Sequence, residues 1–516
     1  MSVFPSNGRR TCQLPVVLAV AFALAACSGS NKSSTNDGAL ATTLRVGVSQ
    51  GLVDADPHTT TLGSDIQILE QVYEGLARLD PKSLKIVPAL AASWTTSDDG
   101  LVWTFKLRPG VTFHDGRKLS ASDVKYSLDR ILNPATKAMF FSDLEPIDKV
   151  STPDAQTVTV DLKRPYSILT TLLASPPFTA IVPNGSGGSL SAKPNGTGPY
   201  SFTAQVPKTS VSLKAYPEYW AGKAKTKDLL FQVVPDQSAL ISALVSGQVD
   251  FITTVPMEQV KKLQSNDRVQ LIRYESAWVD EIGFNTAKKP FRDVRVRQAV
   301  ALTLDKAAIA KAATFGLGKA ADTMVAVSSY EIAVKVPSRD LSRAKALLAE
   351  AGYPSGFSFD FAPCGGTAFP QMTRAGEEIA SELRAIGLTA KVTSQEPGVW
   401  VNSVVNEHSF DATICGLVNG LDPDERSYRY FTSQGSNNFS QYKNAQVDNL
   451  LNQGRIEGDP NKRLSLYNQA WQILVDEAPW IALYQYPGLM AASPKVSGFV
   501  TTPNSDLIFT GVTVRK

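Results

Sequence analysis

Apolar residues recur at every second position early in the chain and at every third and fourth position later, and this change of period restricts the fold to one that combines sheet with helix. "TLRVGVS" from Thr43 places Leu44, Val46 and Val48 on one face, "GLVWTFKLRPG" does the same with Leu101, Trp103, Phe105 and Leu107, and "QTVTVDL" with Val158, Val160 and Leu162. These are half-buried strands. After about residue 290 helices prevail: Met372, Ala375, Ile379, Leu383 and Ile386 form a stripe closed by Gly387, where a helix end favours a left-handed residue. Leu341 to Ala351 ends in Gly352 and Pro354, and Leu464, Tyr467, Trp471, Leu474 and Ala478 line up before Pro479. Stripes of this kind are core faces.

A single hydrophobic core stops growing at about 250 to 300 residues, so a chain of 516 residues is expected to form two large lobes. The order of strands and helices is irregular, unlike one continuous βαβ array. The Gly/Ser/Pro-rich stretch "PNGSGGSLSAKPNGTGPY" from Pro183 suggests a boundary near residue 195, and the shift to helices another near 285. With 51 basic against 48 acidic residues the charge is nearly balanced, which gives no footprint for nucleic acid.

Arg9 and Arg10 precede an apolar run from Leu14 to Ala26, the layout of a secretory signal and shorter than the ~20 residues that span a bilayer. Residues 1–26 are therefore expected to be a signal peptide. Its end, Leu24-Ala25-Ala26-Cys27, resembles a bacterial lipobox, in which cleavage before the cysteine follows lipid modification of its thiol; an ordinary cleavage site is the alternative. "SGSNKSSTNDG" follows, and its composition makes residues 27–41 a flexible tether. The exported chain would then hang through Cys27 from the outer face of the cytoplasmic membrane, in a periplasm or at the cell surface. Two further cysteines, Cys364 and Cys415, follow strand-like runs; in an oxidising compartment they form a disulfide or stay as two buried thiols.

Three histidines, His58, His114 and His408, are the imidazoles available to an enzyme. GxSxG, HExxH, a Walker loop and GxGxxG after a strand are all missing, which moves the reading away from catalysis. No CxxC pattern exists, and neither a metal nor a cofactor is expected. His114 and Asp115 stand side by side in "VTFHDGRKLSASDVKYSLDR", but neighbours on an extended chain point apart. Asp115-Gly116 reads as a turn, Ser120 as a helix N-cap with Asp123 in capping-box spacing, and Val124, Leu128, Ile131 and Leu132 as the buried stripe.

The same stretch carries a family resemblance. Trp94, Asp99-Gly100, Phe105 to Gly110, Phe113 to Gly116 and Asp123 to Ser127 occur in the order found in the family 5 extracellular solute-binding proteins, the dipeptide, oligopeptide and nickel receptors of bacterial ABC importers. "GTGPY" at Gly196, "EYWAG" at Glu218, "ALVSGQVDF" at Ala243, "GFN" at Gly283, "FRDVRVRQAVALTLDKAAIA" at Phe291, "RAKALLAEAGYP" at Arg343 and "DEAPWIALYQY" at Asp476 continue the likeness. The resemblance implies an α/β, two-lobed periplasmic-binding-protein-like fold (type II, cluster C) with a two-segment hinge. Lobe I would hold residues 42–76, 197–285 and 487–516, its accessory subdomain 77–196, and lobe II 286–486. It also implies a monomer that closes on a solute, most readily a short peptide, and delivers it to membrane permease subunits without breaking a bond. An oligosaccharide, haem or a metal chelate is the alternative solute, and a secreted hydrolase a more distant one.

In the peptide-binding members an acidic residue of the second lobe holds the ligand's amino group shortly before an acidic-Pro turn. Aligning that turn on Asp422-Pro423 puts Asn419 at the anchor and Leu417 where many members carry tryptophan. Asparagine accepts a hydrogen bond but supplies no charge. Asp422 could replace it or simply start a turn and helix; Gly416 could let a ligand backbone approach as an added strand; Trp400 falls where the family has an aromatic contact, or is a core residue. His408, in "NEHSFD", does not match the histidine of the nickel receptors.

Overall fold

The alternating run at Thr43 folds as the strand Thr43–Val48, with Leu44 and Val46 fully buried, in a computed structural model that describes residues 40–325, 332–366, 369–417 and 422–516, Leu417 by its backbone alone. Cys27 and Asn419 lie outside the described residues. Strand 43–48 is the centre of a seven-stranded sheet in the order 270–274, 488–492, 251–252, 43–48, 228–233, 210–215, 200–206. It runs parallel to both of its neighbours.

A six-stranded sheet has the order 319–320, 480–485, 279–284, 412–417, 358–363, 389–392. Every residue of strands 279–284 and 480–485 is buried, as expected of strands covered on both faces by helices. Those helices include Lys306–Thr314, Pro370–Leu383, Pro423–Phe431 and Pro460–Glu477, and Phe284, Phe291 and Phe359 pack ring against ring beneath them. The chain passes between the two sheets twice, at 275–278 and at 486–487. Strands 270–274 and 488–492 pair in the first sheet and 279–284 and 480–485 in the second, so the two crossings run side by side.

A smaller, four-stranded antiparallel sheet (91–96, 102–107, 157–162, 147–154) holds its own core with helix Ala121–Ile131. The Asp123 carboxylate accepts from the Ser120 backbone N–H (2.9 Å) and hydroxyl (2.7 Å), and Gly116 makes the preceding turn at φ 84°. His114 Nε2 donates to the Gly198 carbonyl (2.9 Å) and its Nδ1 accepts from the Gly196 N–H (3.4 Å), while Asp115 accepts from Arg117 and Asn195. The two side chains do not meet. Burial pushes the His114 imidazole down to about 4, so it is neutral at pH 7 and fastens the Gly-rich stretch. That stretch is docked tightly: a Cβ on Gly196 would stand 2.0 Å from the Val72 carbonyl oxygen.

The helical stripes fold close to where their periods end. The Met372 stripe is helix Pro370–Leu383 plus a tight last turn to Ile386, and Gly387 follows at φ 86°. The third stripe begins at Pro460 behind the N-cap Asp459 and stops at Ala478, which takes the left-handed conformation itself.

Candidate functional site

Strand 279–284 begins just after the first crossing and strand 480–485 ends just before the second, so both present the same edge of the second sheet to the crossings. Strand 412–417 runs antiparallel to 279–284 and pairs Leu417 with Val279 and Gly416 with Asp280. The edge at the junction of the two sheets therefore carries Val279, Asp280, Gly416, Leu417, Tyr484 and Gln485.

Asp280 is fully buried. Its Oδ2 accepts from the Tyr484 hydroxyl (2.7 Å), and its Oδ1 has no hydrogen-bond partner. Burial pushes its carboxyl up to about 7 against the pull of the Tyr484 hydrogen bond. Gly416 makes this arrangement possible, because a Cβ there would lie 2.2 Å from Asp280 Oδ1 and 3.0 Å from the Met372 methyl. Tyr486, half-buried, bonds to Gln371 in the first turn of helix 370–383.

Glu281 points to the opposite face and pairs with Arg426, both side chains being completely buried. The Arg426 guanidinium also lies 4.9 Å from the centre of the Tyr430 ring. Burial raises the Glu281 carboxyl to about 7, Arg426 opposes that rise, and Asp280 adds to it.

The residues singled out from the sequence divide between this edge and the interior. Gly416 and the backbone of Leu417 are on the edge. Asp422 is turned inward: it caps helix 423–431 by accepting from Asp424 N (2.8 Å), and both of its oxygens are held by Arg463 at 2.8 and 2.6 Å. Trp400 is 4 % exposed, donates to Thr413 Oγ1 (2.7 Å) and packs edge-on against Phe439, within the lobe's core. Cys364 and Cys415 are both buried and stand as free thiols in the structure. Cys415 lies on strand 412–417 and Cys364 directly follows the parallel strand 358–363; Cys364 N donates to Ile414 O, and the two thiols hydrogen-bond to each other. Alkylation of the unfolded chain without reductant, followed by peptide mapping, should label both; a linked peptide pair would contradict the thiol state.

Reading the sequence for function missed Asp280, Tyr484 and Tyr486. The signal was present in "VDEIGFN", two adjacent carboxylates inside an otherwise apolar strand.

Away from the crossings, the unit built on the four-stranded sheet meets helices 423–431 and Ala445–Ile456. Asp143 pairs with Arg429. The Arg455 guanidinium lies over the rings of Tyr428 (3.6 Å) and Tyr166 (4.8 Å) and donates to the Tyr166 hydroxyl (2.9 Å). Ser167 donates to the Arg455 carbonyl through its N–H and its hydroxyl, each at 2.9 Å. Among the described residues no helix is long and apolar enough to cross a membrane.

Residues 85–439 match the sequence profile of "Bacterial extracellular solute-binding proteins, family 5 Middle". The chain is 32% identical to the Heme-binding protein A of Haemophilus influenzae over 86% of its own length and 87% of the relative's. It is 30% identical to the glutathione-binding protein GsiB of Shigella dysenteriae over 90% and 93%. The solved structure of HbpA2 from Haemophilus parasuis superposes with a TM-score of 0.81 at 28% identity, covering 92% of this chain and 100% of that one. The fold is accordingly the two-lobed α/β fold of such receptors, and the chain belongs to the family 5 extracellular solute-binding proteins, the solute-capturing components of bacterial ABC importers.

Proposed function

We propose that the chain is a lipid-anchored receptor that captures a short peptide, or a solute with a peptide-like backbone, between its lobes and hands it unchanged to a permease. Residues 42–76, 197–285 and 487–516 form lobe I in this reading, 77–196 its accessory subdomain and 286–486 lobe II, with the paired crossings as the hinge. Solute contacts from both lobes favour the closed form only to the extent that the closed form binds more tightly. The anchor is Cys27, and the receptor works as a monomer.

The observation that carries the peptide reading is Gly416 at the end of strand 412–417. It has no side chain and is half-buried at the junction edge, so a backbone can lie against it and be held through main-chain groups whatever its side chains. Leu417 and the Asn419 segment follow at once, and the 30% identical relative is named for binding glutathione, itself a small peptide. Haem is the competing solute, because the 32% identical relative is named for it.

Mass spectrometry of compounds released from the purified chain by denaturation, followed by calorimetry with each, decides between them. The expected result is short peptides, of roughly two to five residues, in the binding mode that adds a strand. A Soret absorption band, or a sugar or chelate that binds while peptides produce no heat, would overturn the peptide reading. Turnover of the solute that is lost in His114→Ala would overturn the receptor reading as well.

A further inference from the structure

Buried carboxylates in this protein are answered by donors. Arginines hold Asp56, Asp123, Asp143, Asp250, Glu281, Asp422 and Asp424. Asp65 instead accepts from two backbone N–H groups and the Thr60 hydroxyl. Asp280 differs from these: it is 0 % exposed, one hydroxyl reaches its Oδ2, and its Oδ1 has no hydrogen-bond partner. Glu281 Oε2 also lacks a hydrogen bond, but its carboxylate is paired with Arg426, whereas neither an arginine nor a backbone N–H answers Asp280. A buried acceptor left in this state costs free energy unless a ligand supplies the donor.

The surroundings of Oδ1 suit such a ligand. Gly416 contributes no side chain beside it, and the Met372 methyl, the end of a flexible side chain, is the other side-chain group next to Gly416. Tyr484 is committed to Oδ2, and Tyr486 bonds to Gln371. Arg374, the basic group on the helix packed there, is turned away, held on the Ala313 carbonyl at 3.0 and 2.7 Å and stacked on Phe315. Glu281 faces the opposite side with Arg426, and the Cys364 and Cys415 thiols bond to each other.

Resting on the reading that the solute enters beside Gly416, we propose that Asp280 is the specificity-determining residue of the site: its free Oδ1 accepts hydrogen bonds from a primary ammonium on the solute. The receptor therefore selects amine-bearing solutes, and the charge that Asn419 does not offer comes from strand 279–284. Without solute, burial holds the carboxyl at about 7; an ammonium beside it favours the ionised form, so binding at neutral pH releases a proton.

The test uses the purified full chain and its Asp280→Asn variant, which keeps an acceptor for Tyr484. Thermal shift is read against a panel of short peptides with free and N-acetylated amino termini, polyamines, amino sugars, neutral sugars and carboxylates, followed by calorimetry of the hits in buffers of different ionisation enthalpy. Expected are hits that carry a primary amine and are lost on acetylation. Their affinity should fall at least ten-fold in Asp280→Asn, their proton release should vanish, and the melting temperature of the empty variant should be unchanged or higher. Hits confined to neutral or anionic solutes, or amine binding of equal strength in the variant, overturn the role of Asp280 and leave the receptor reading standing. A lower melting temperature that accompanies the lost affinity makes Asp280 structural and overturns the proposal. A wild-type chain that binds nothing from the panel and releases no compound on denaturation overturns both.

Discussion

Arg426→Met is expected to lower stability at pH 8 by about 3–5 kcal/mol, the cost of leaving one partner of a buried ion pair alone. Glu281 and Arg426 are each 0 % exposed, so water cannot take over the role of the missing guanidinium. The loss should shrink on acidification, and the sign follows from protons. The folded-state carboxyl of Glu281 is raised to about 7 even with Arg426 present, above the unfolded value of about 4.3. The folded state thus binds the proton more tightly, and stability falls as pH rises from about 4.3 through 7. Removing Arg426 raises the folded value further, which extends that window upward and makes the deficit larger at pH 8 than at pH 5. Urea unfolding at the two pH values measures it. Replacing both partners, Arg426→Met with Glu281→Met, should recover most of the loss. A single variant as stable as the wild type at pH 8 would mean that the pair is open to solvent.

Strand 43–48 was legible because three apolar residues at a period of two, followed by a polar loop, have few alternatives. Helix 121–131 was legible because a capping box and a four-residue stripe agree with each other. Neighbourhood in the sheets was not. Strand 488–492 pairs with 251–252, and nothing local in either short run names a partner so far away. The site divides in the same way. Gly416 and the turn at Asp422-Pro423 could be picked out from residue type, since glycine permits close approach and Asp-Pro starts a helix. Whether Asp422 looks outward or inward depended on Arg463, 41 positions later. Asp280 was harder still, because its meaning lies in what surrounds it: Tyr484 is 204 positions away, and Gly416 faces it only through the register of two antiparallel strands. The cysteines show the same limit, since counting them left bonded and free states open, and the register on adjacent strands fixed how they meet.

The second large effect concerns closure. Arg429 of helix 423–431 pairs with Asp143 of the small-sheet unit, and Arg455 sits between Tyr428 and Tyr166. Helix 423–431, which carries Arg429 and Tyr428, follows shortly in the chain after strand 412–417 with Gly416, so a contact that joins the two units lies close in the chain to the proposed solute site. Arg429→Glu places two carboxylates face to face at a site where Asp143 is already pushed up by burial and held down by Arg429 and Arg455. Like charges at such a contact cost a few kcal/mol. Solute affinity should fall at least ten-fold, about 1.4 kcal/mol, through a larger fraction of open molecules rather than through any contact with the solute.

Small-angle X-ray scattering of the wild type and Arg429→Glu, each with and without the solute recovered from the protein, reads the central claim most directly. Capture by lobe closure predicts that the wild type contracts on adding one equivalent of solute, and that Arg429→Glu starts more extended and needs at least ten-fold more solute to contract. Saturating solute that leaves the radius of gyration of both proteins unchanged, with Arg429→Glu as compact as the wild type, would contradict it.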